Sequence, residues 1–320
     1  MVRVAIVGCG KIADQHVQAV SRIEGSKVVA VCDRETLMAQ QLAERFSIEG
    51  CFSDVAALLR EAAPDVVHVT TPPQSHHALG LQCLAAGAHV YLEKPFTVNA
   101  AEAAALIEMA GVSERKITAG HNYQFTPEML RMRRKVEAGF LGGRAVHLES
   151  QWSYDLGDAS YVGPLLGNPD HWVRRLPGQL MHNIVSHGIA RLTEFLSDDL
   201  VELVAIAHQS EQLRGLGGGD ILDELRVMIR DANGTTAYFS FSTQIKPGMN
   251  RFRVYGPRNS ITVDLGSGST IEDRGKSYKS YLTFLGPPFD YARQYFGNGW
   301  RNAVDILRWR LHQDSGMKEL

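Results

Sequence analysis

Short runs of β-branched and apolar residues recur through the first 120 positions, and between them apolar residues return every three or four places. VRVAIV, KVVAVC, DVVHVT and AHVYLE predict strands, while residues 11–23, 36–46, 55–61, 76–86 and 100–111 predict helices. Strands separated by helices of crossover length run parallel with right-handed connections, so this half predicts a doubly wound α/β sheet of the Rossmann kind.

The rhythm changes after residue 121. A helix over 128–138, a strand over 145–154, a loop rich in Gly, Pro and Asp, and a long helix over 180–196 come first. Strand patterns then follow at 201–207, 222–230, 235–243, 251–255 and 260–265, joined by turn sequences such as Asp231-Ala232-Asn233-Gly234 and Gly256-Pro257-Arg258-Asn259. Consecutive strands without crossover helices predict an α+β domain with a largely antiparallel open sheet. The expected division is an α/β domain over 1–121 and an α+β domain over 122–320. The glycine run at 215–219 lies outside a strand-to-helix junction and is read as a loop, not a phosphate cradle. Helical character persists to Leu320 without a stop signal, as expected of a truncated chain.

Composition narrows the functions. At 320 residues, 44% of them hydrophobic, the chain is long enough for two cores. A net charge of -2 offers no broad basic field, which argues against nucleic acid or an anionic membrane as partner and for a small molecule. Cys9, Cys32, Cys51 and Cys83 lack the paired spacing of a disulfide framework or metal site, so no metal and a reducing, cytoplasmic setting are expected. The opening MVRVAIVGCG is too short for a signal peptide core, and no segment approaches the length of a membrane span.

Gly8-Cys9-Gly10-Lys11-Ile12-Ala13 follows an apolar strand and opens a helix, the context a G-x-G-x-x-A dinucleotide motif requires. Gly8 permits the turn, Gly10 lets backbone approach a pyrophosphate, and Ala13 allows close helix packing. The backbone of Gly8, Gly10, Lys11 and Ile12 then faces the phosphates with a positive helix end. Asp33 ends the second strand, where its carboxylate can accept from ribose hydroxyls. A carboxylate repels a 2′-phosphate, so NAD is favoured over NADP, with Arg34 as the residue that would pair with a 2′-phosphate instead. Thr71 and Pro72 are expected beside the nicotinamide, Ser75 is either a helix cap or a site residue, and His68 is read as a core histidine.

The stretches TTPPQSHH, Cys83-Leu84-Ala85-Ala86-Gly87-Ala88-His89 and Val90-Tyr91-Leu92-Glu93-Lys94-Pro95, taken with the glycine motif, resemble the glucose-fructose oxidoreductase, inositol dehydrogenase and MocA (Gfo/Idh/MocA) family. The resemblance implies NAD(P)-dependent oxidation or reduction of a secondary alcohol or ketone in a sugar, cyclitol or related polyol. It places Lys94 beside the reacting carbon and adds His76, Glu93 and Lys94 to the residues around the cofactor; in similar proteins the Lys-Pro bond can be cis. It also aligns His187 with an acid/base histidine, which puts Asn183 where an aspartate usually stands and Val185 where a glycine does. Asn183 and His187 are one helical turn apart and share a face, but an amide takes no proton, so Asn183 is expected to position substrate. His182 lies off that face. His121 and Asn122, in a segment resembling N-Y-R-F with Gln124 for the arginine, join His171 and Trp172 as expected substrate contacts, with Trp152 and Tyr154 either contacts or core.

Two other functions remain open at this point: an NAD- and ligand-binding regulator without turnover, and an NAD-assisted glycosidase. Assembly is expected as a homodimer or homotetramer through the second domain. There Ala237, Phe239 and Phe241 face one side of a strand and Tyr238 the other, leaving a semi-apolar open face.

Overall fold

A computed structural model describes residues 1–156, 163, 165–197, 199–275, 279 and 281–314, with the side chains of 200 and 309–314 excepted. The chain divides into two compact units, Met1–His121 and Asn122–Glu319.

The first unit alternates strand and helix: β1 (Val2–Val7), α1 (Ala13–Ser21), β2 (Ser26–Cys32), α2 (Thr36–Phe46), β3 (Gly50–Phe52), α3 (Val55–Ala62), β4 (Val66–Val69), α4 (His76–Ala85), β5 (His89–Leu92), α5 (Ala100–Val112) and β6 (Ile117–Ala119). All pairings are parallel, in the order β3-β2-β1-β4-β5-β6. The chain turns one way from β1 to β2 and the other way to β4, so a crevice opens at the carboxyl ends of β1 and β4. Ile6, Val31 and Leu42 are fully buried on one side of the sheet, and Val67, Leu84 and Leu106 on the other. The β3 and β6 strands have three residues each, too short for an alternating pattern to reveal them.

The second unit runs α6 (Pro127–Glu137), β7 (His147–Ser153), α7 (Gln179–Thr193), β8 (Leu200–His208), α8 (Glu211–Gly215), β9 (Glu224–Asp231), β10 (Thr236–Ser242), β11 (Arg251–Tyr255), β12 (Asn259–Asp264), β13 (Ser269–Arg274) and α9 (Leu282–Asp314). Its sheet order is β13-β12-β11-β7-β10-β9-β8. The recorded pairings are antiparallel except at the centre, where β10 lies parallel to β7 with Phe239 opposite Ser150 and Phe241 opposite Trp152. The β9–β10 hairpin carries β10 back to β7, a long-range pairing that turn chemistry alone does not specify. α7 lies on this centre: a Cβ on Gly188 would stand 2.3 Å from the Phe239 ring, and Ser150 Oγ donates to the Gly188 carbonyl at 2.8 Å. The glycine run at 215–219 ends α8 and turns the chain, with Gly217 and Gly219 at positive φ.

The open sheet face differs from the expected semi-apolar one. Tyr238 stands opposite Glu149 and Met228, Glu149 opposite Arg253, and Gln151 opposite Arg251, so charged and amide groups occupy its middle. Among the described residues of this face, exposed apolar side chains gather at the β8 end, where Val204 pairs with Met228.

At the other edge α9 takes the place of a neighbouring strand. Gln294 accepts from the Glu272 N–H at 2.7 Å and donates to the Glu272 carbonyl at 3.0 Å. Asn298 does the same for Thr270, at 3.2 and 3.0 Å, and Asn302 donates to the Ser267 carbonyl. Amides four residues apart on one helix face thus satisfy the outward backbone groups of β13, which a bare edge would leave open. Among the described residues no helix is long and apolar enough to cross a membrane.

Candidate active site

Gly8 has φ +100, and a Cβ there would meet Thr71 atoms at 2.8 Å, so the turn packs against the end of β4 and requires glycine for that reason as well. A Cβ on Gly10 would meet nothing within 4 Å: the second glycine faces open space, as an approaching phosphate requires. Ala13 is fully buried under the turn. α1 has no side-chain cap; the Ala13, Gln15 and His16 N–H groups turn back to the Gly10 and Ile12 carbonyls, so an anion would meet the N–H groups of exposed Lys11, half-buried Ile12 and Asp14.

Asp33 ties this loop together. One carboxylate oxygen accepts from Cys9 N–H at 2.7 Å and the other from Glu35 N–H at 3.0 Å. Each oxygen retains a lone pair for a ribose hydroxyl, so the expected cofactor role is compatible with a second, loop-holding one. Arg34 is exposed beside it. The residues present therefore fit a dinucleotide.

Half-buried Thr71 and exposed Pro72 follow β4. Ser75 does not cap α4: its hydroxyl lies 2.7 Å from Thr71 Oγ1 and donates to the Pro72 carbonyl at 2.8 Å. His76, expected near the cofactor, is fully buried, with Nδ1 beside the Pro95 and Phe96 carbonyls and Nε2 beside that of Thr71. Both ring nitrogens are spent on joining the loops after β4 and β5, so its side chain is a structural clip. Burial lowers its pKa against the pull of those carbonyls.

After β5 the Lys94-Pro95 bond is cis. Glu93 uses both oxygens internally, one 2.9 Å from His16 Nε2 and the other accepting from Lys94 N–H at 3.0 Å. Burial pushes its carboxyl upward, but the His16 hydrogen bond and charge and the Lys94 N–H outweigh that and hold it below the ordinary carboxylate range. Burial lowers the Lys94 ammonium, with Glu93 opposing. Half-buried His121 is lowered by burial and by the positive charge of Lys94. Lys94, Glu93 and His121 thus form one electrostatic group at the carboxyl edge of the sheet.

His16, buried at 8% exposure, is the residue sequence reading missed. Its Nδ1 lies 2.9 Å from His68 Nδ1, and the His68 ring stacks on Tyr91 with centroids 4.8 Å apart. The available signal was a histidine on the apolar face of α1, beside Val17 and Val20, together with another inside an apolar strand. Two polar residues in apolar patterns can satisfy each other.

In the second unit the half-buried His187 ring stacks on Trp152 at 5.4 Å and meets Tyr123 edge-on at 5.0 Å. Asn183, 2% exposed, sits one turn earlier on α7, and Val185 is buried core. One turn later comes Arg191, also missed: fully buried, its guanidinium lies 5.0 Å from the Trp152 ring centroid and donates to Ser150 Oγ at 3.2 Å. Burial lowers its pKa to about 10. Trp152, at 5% exposure, belongs to the core, whereas His171 and Trp172 stack half-exposed at 5.7 Å. Burial, then Arg174, lowers the His171 pKa, and its Nδ1 accepts from Val173 N–H. Asn122 is exposed at the start of the unit.

Residues 2–121 match the model of the oxidoreductase family with NAD-binding Rossmann fold, Gfo/Idh/MocA. The likeness to the Gfo/Idh/MocA family is thus carried by the first unit, residues 2–121. D-glucoside 3-dehydrogenase of Escherichia coli is 33% identical over 141 residues, 44% of this chain and 40% of that protein. Inositol 2-dehydrogenase of Rhizobium meliloti is 24% identical over 272 residues, 85% of this chain and 78% of that one. The match to D-glucoside 3-dehydrogenase therefore spans about two fifths of that relative's length. The solved structure of UDP-N-acetylglucosamine 3-dehydrogenase from Acidithiobacillus ferrooxidans shares the fold, with a TM-score of 0.70 at 24% identity over 85% of this chain and 80% of that one.

Proposed function

We propose that this chain transfers a hydride between NAD(H) and a secondary alcohol or ketone of a sugar, cyclitol or nucleotide-sugar-like substrate. The observation that carries the reading is the set of groups at the carboxyl ends of one parallel sheet: the Asp33-braced glycine turn after β1, Thr71 after β4, and the half-buried, electrostatically coupled Lys94 after β5. NAD, when bound, supplies the hydride acceptor. Gly8, Gly10 and the α1 terminus hold the pyrophosphate, and Asp33 holds the adenosine ribose. Lys94 hydrogen-bonds the reacting oxygen; because burial favours its neutral form, it can take the hydroxyl proton as the hydride leaves carbon. His187 is the second acid/base group, with Asn183, His121, Asn122, His171 and Trp172 as substrate contacts. The dehydrogenase names of the E. coli and R. meliloti relatives support the substrate class.

The test is product analysis after incubation with NAD+ and a panel of sugars, cyclitols and nucleotide sugars. Net accumulation of reduced nicotinamide with a matching ketone supports hydride transfer. Cleaved glycoside with unchanged cofactor would replace this reading with an NAD-assisted glycosidase, and ligand-induced stabilisation without turnover with a regulator.

A further inference from the structure

A cavity of about 1050 Å³ lies within the second unit, between α6, β13 and α9, and shares no residue with the candidate active site. Its walls follow from the elements. Arg131, Arg134 and Lys135 fall on one face of α6, at spacings of three and four, while Tyr291, Gln294 and Arg301 line the same side of α9. Thr270, Glu272 and Arg274 alternate along β13 between them.

Its charge is unlike that of the chain. Six cationic side chains line it against three carboxylates, in a protein whose net charge is -2. The carboxylates are already engaged: Glu272 with Lys135 at 3.0 Å and Arg274 at 3.2 Å, Asp273 with Arg253 at 2.8 Å and with the Tyr291 hydroxyl, and Asp290 with Arg293 at 3.7 Å. Arg134 and Arg301 enter no carboxylate pair among the described residues. Arg131 is held by Glu128 at 2.9 Å, and Arg301 donates to Asn298 Oδ1 at 2.5 Å with the rest of its guanidinium at the wall. Guanidinium groups match phosphate oxygens two at a time.

We infer that this cavity binds a small phosphate-bearing anion of two or more negative charges. Arg134 and Arg301 are its principal cationic contacts. The volume exceeds what a lone phosphate fills and suits a phosphorylated metabolite or a nucleotide. The site is independent of the NAD reading.

Calorimetric titration of the full chain with pyrophosphate, inorganic phosphate and sulfate, with and without excess NAD+, tests it. The expected result is pyrophosphate binding at one site per chain, tighter than phosphate, retained in excess NAD+. Arg134→Gln and Arg301→Gln should each weaken it about tenfold. Both side chains lie at the cavity wall away from the core, and circular dichroism would verify that each variant is folded. No pyrophosphate binding, binding unchanged in the double variant, or sulfate binding as tightly as pyrophosphate (an adventitious ion only) would each overturn the inference.

Discussion

His16 Nδ1 and His68 Nδ1 face each other across 2.9 Å, and His16 Nε2 faces Glu93 at the same distance. A carboxylate only accepts, so His16 Nε2 carries a hydrogen. With His16 neutral its Nδ1 must accept, and His68 must be the Nδ1–H tautomer. The Lys94 backbone is thereby coupled, through Glu93, to two histidines behind the sheet.

Replacing His16 therefore tests what braces the Lys94 loop. His16→Leu should leave the Glu93 carboxylate without its side-chain donor and cost about 1–3 kcal/mol. His16→Asn should recover part of it. Urea unfolding of the three proteins checks this, and equal midpoints would reject the bracing role.

Acid stability should carry a signature of His68. Burial, then His16, lowers its pKa from 6.5 to about 4, with Glu93 opposing. A histidine whose folded pKa is depressed stabilises fully above the unfolded value. As pH falls from about 6.5 toward 4, the unfolded chain takes up a proton that the folded one refuses, and stability drops by up to roughly 3 kcal/mol. The difference in unfolding free energy between neutral and mildly acid solution should shrink in His68→Leu. An undiminished difference would mean that other groups dominate the acid limb.

Lys94→Ala should remove most turnover, by about a hundredfold or more, while leaving NAD affinity nearly intact, since the glycine turn and Asp33 lie on other strands. Steady-state kinetics beside cofactor titration separates the two effects. Turnover at the parent rate would take Lys94 out of the chemistry.

Cofactor preference should follow Asp33. NAD(H) is expected to bind more tightly than NADP(H), and Asp33→Ser should narrow the gap by removing the repulsion of a 2′-phosphate. Because Asp33 also holds the Cys9 N–H, the variant should weaken both cofactors. Equal affinities in the parent chain would instead point to Arg34.

The sheet edge makes a separate prediction. Asn298, 2% exposed, both donates to and accepts from Thr270 backbone. Asn298→Leu should destabilise the second unit by about 1–3 kcal/mol and speed hydrogen exchange at the Thr270 amide, because water or nothing replaces the lost partner. Slow exchange at the parent rate would show that β13 does not depend on α9.

Much of the site was legible because the relevant signals are local. The glycine spacing after an apolar run, an acid at the end of the next strand, and Glu-Lys-Pro after the fifth each sit within a few residues of the backbone feature they require. The side-chain partners of His76 were hidden for the opposite reason: they include Pro95 and Phe96, some twenty residues away, and nothing near position 76 announces them.

By itself the sequence determined the parallel α/β unit, the change to strand-rich structure near residue 121, and the loops that bear the candidate chemistry, since periodicity and turn chemistry are short-range properties. Tertiary structure alone decided that β10 returns parallel to β7, that His16 and His68 share a hydrogen bond, that Arg191 is buried over Trp152, and that α9 turns its amides toward a strand edge. Each of these joins residues distant in the chain. Burial makes an unpaired polar group expensive, and only the folded arrangement shows which distant partner meets that demand.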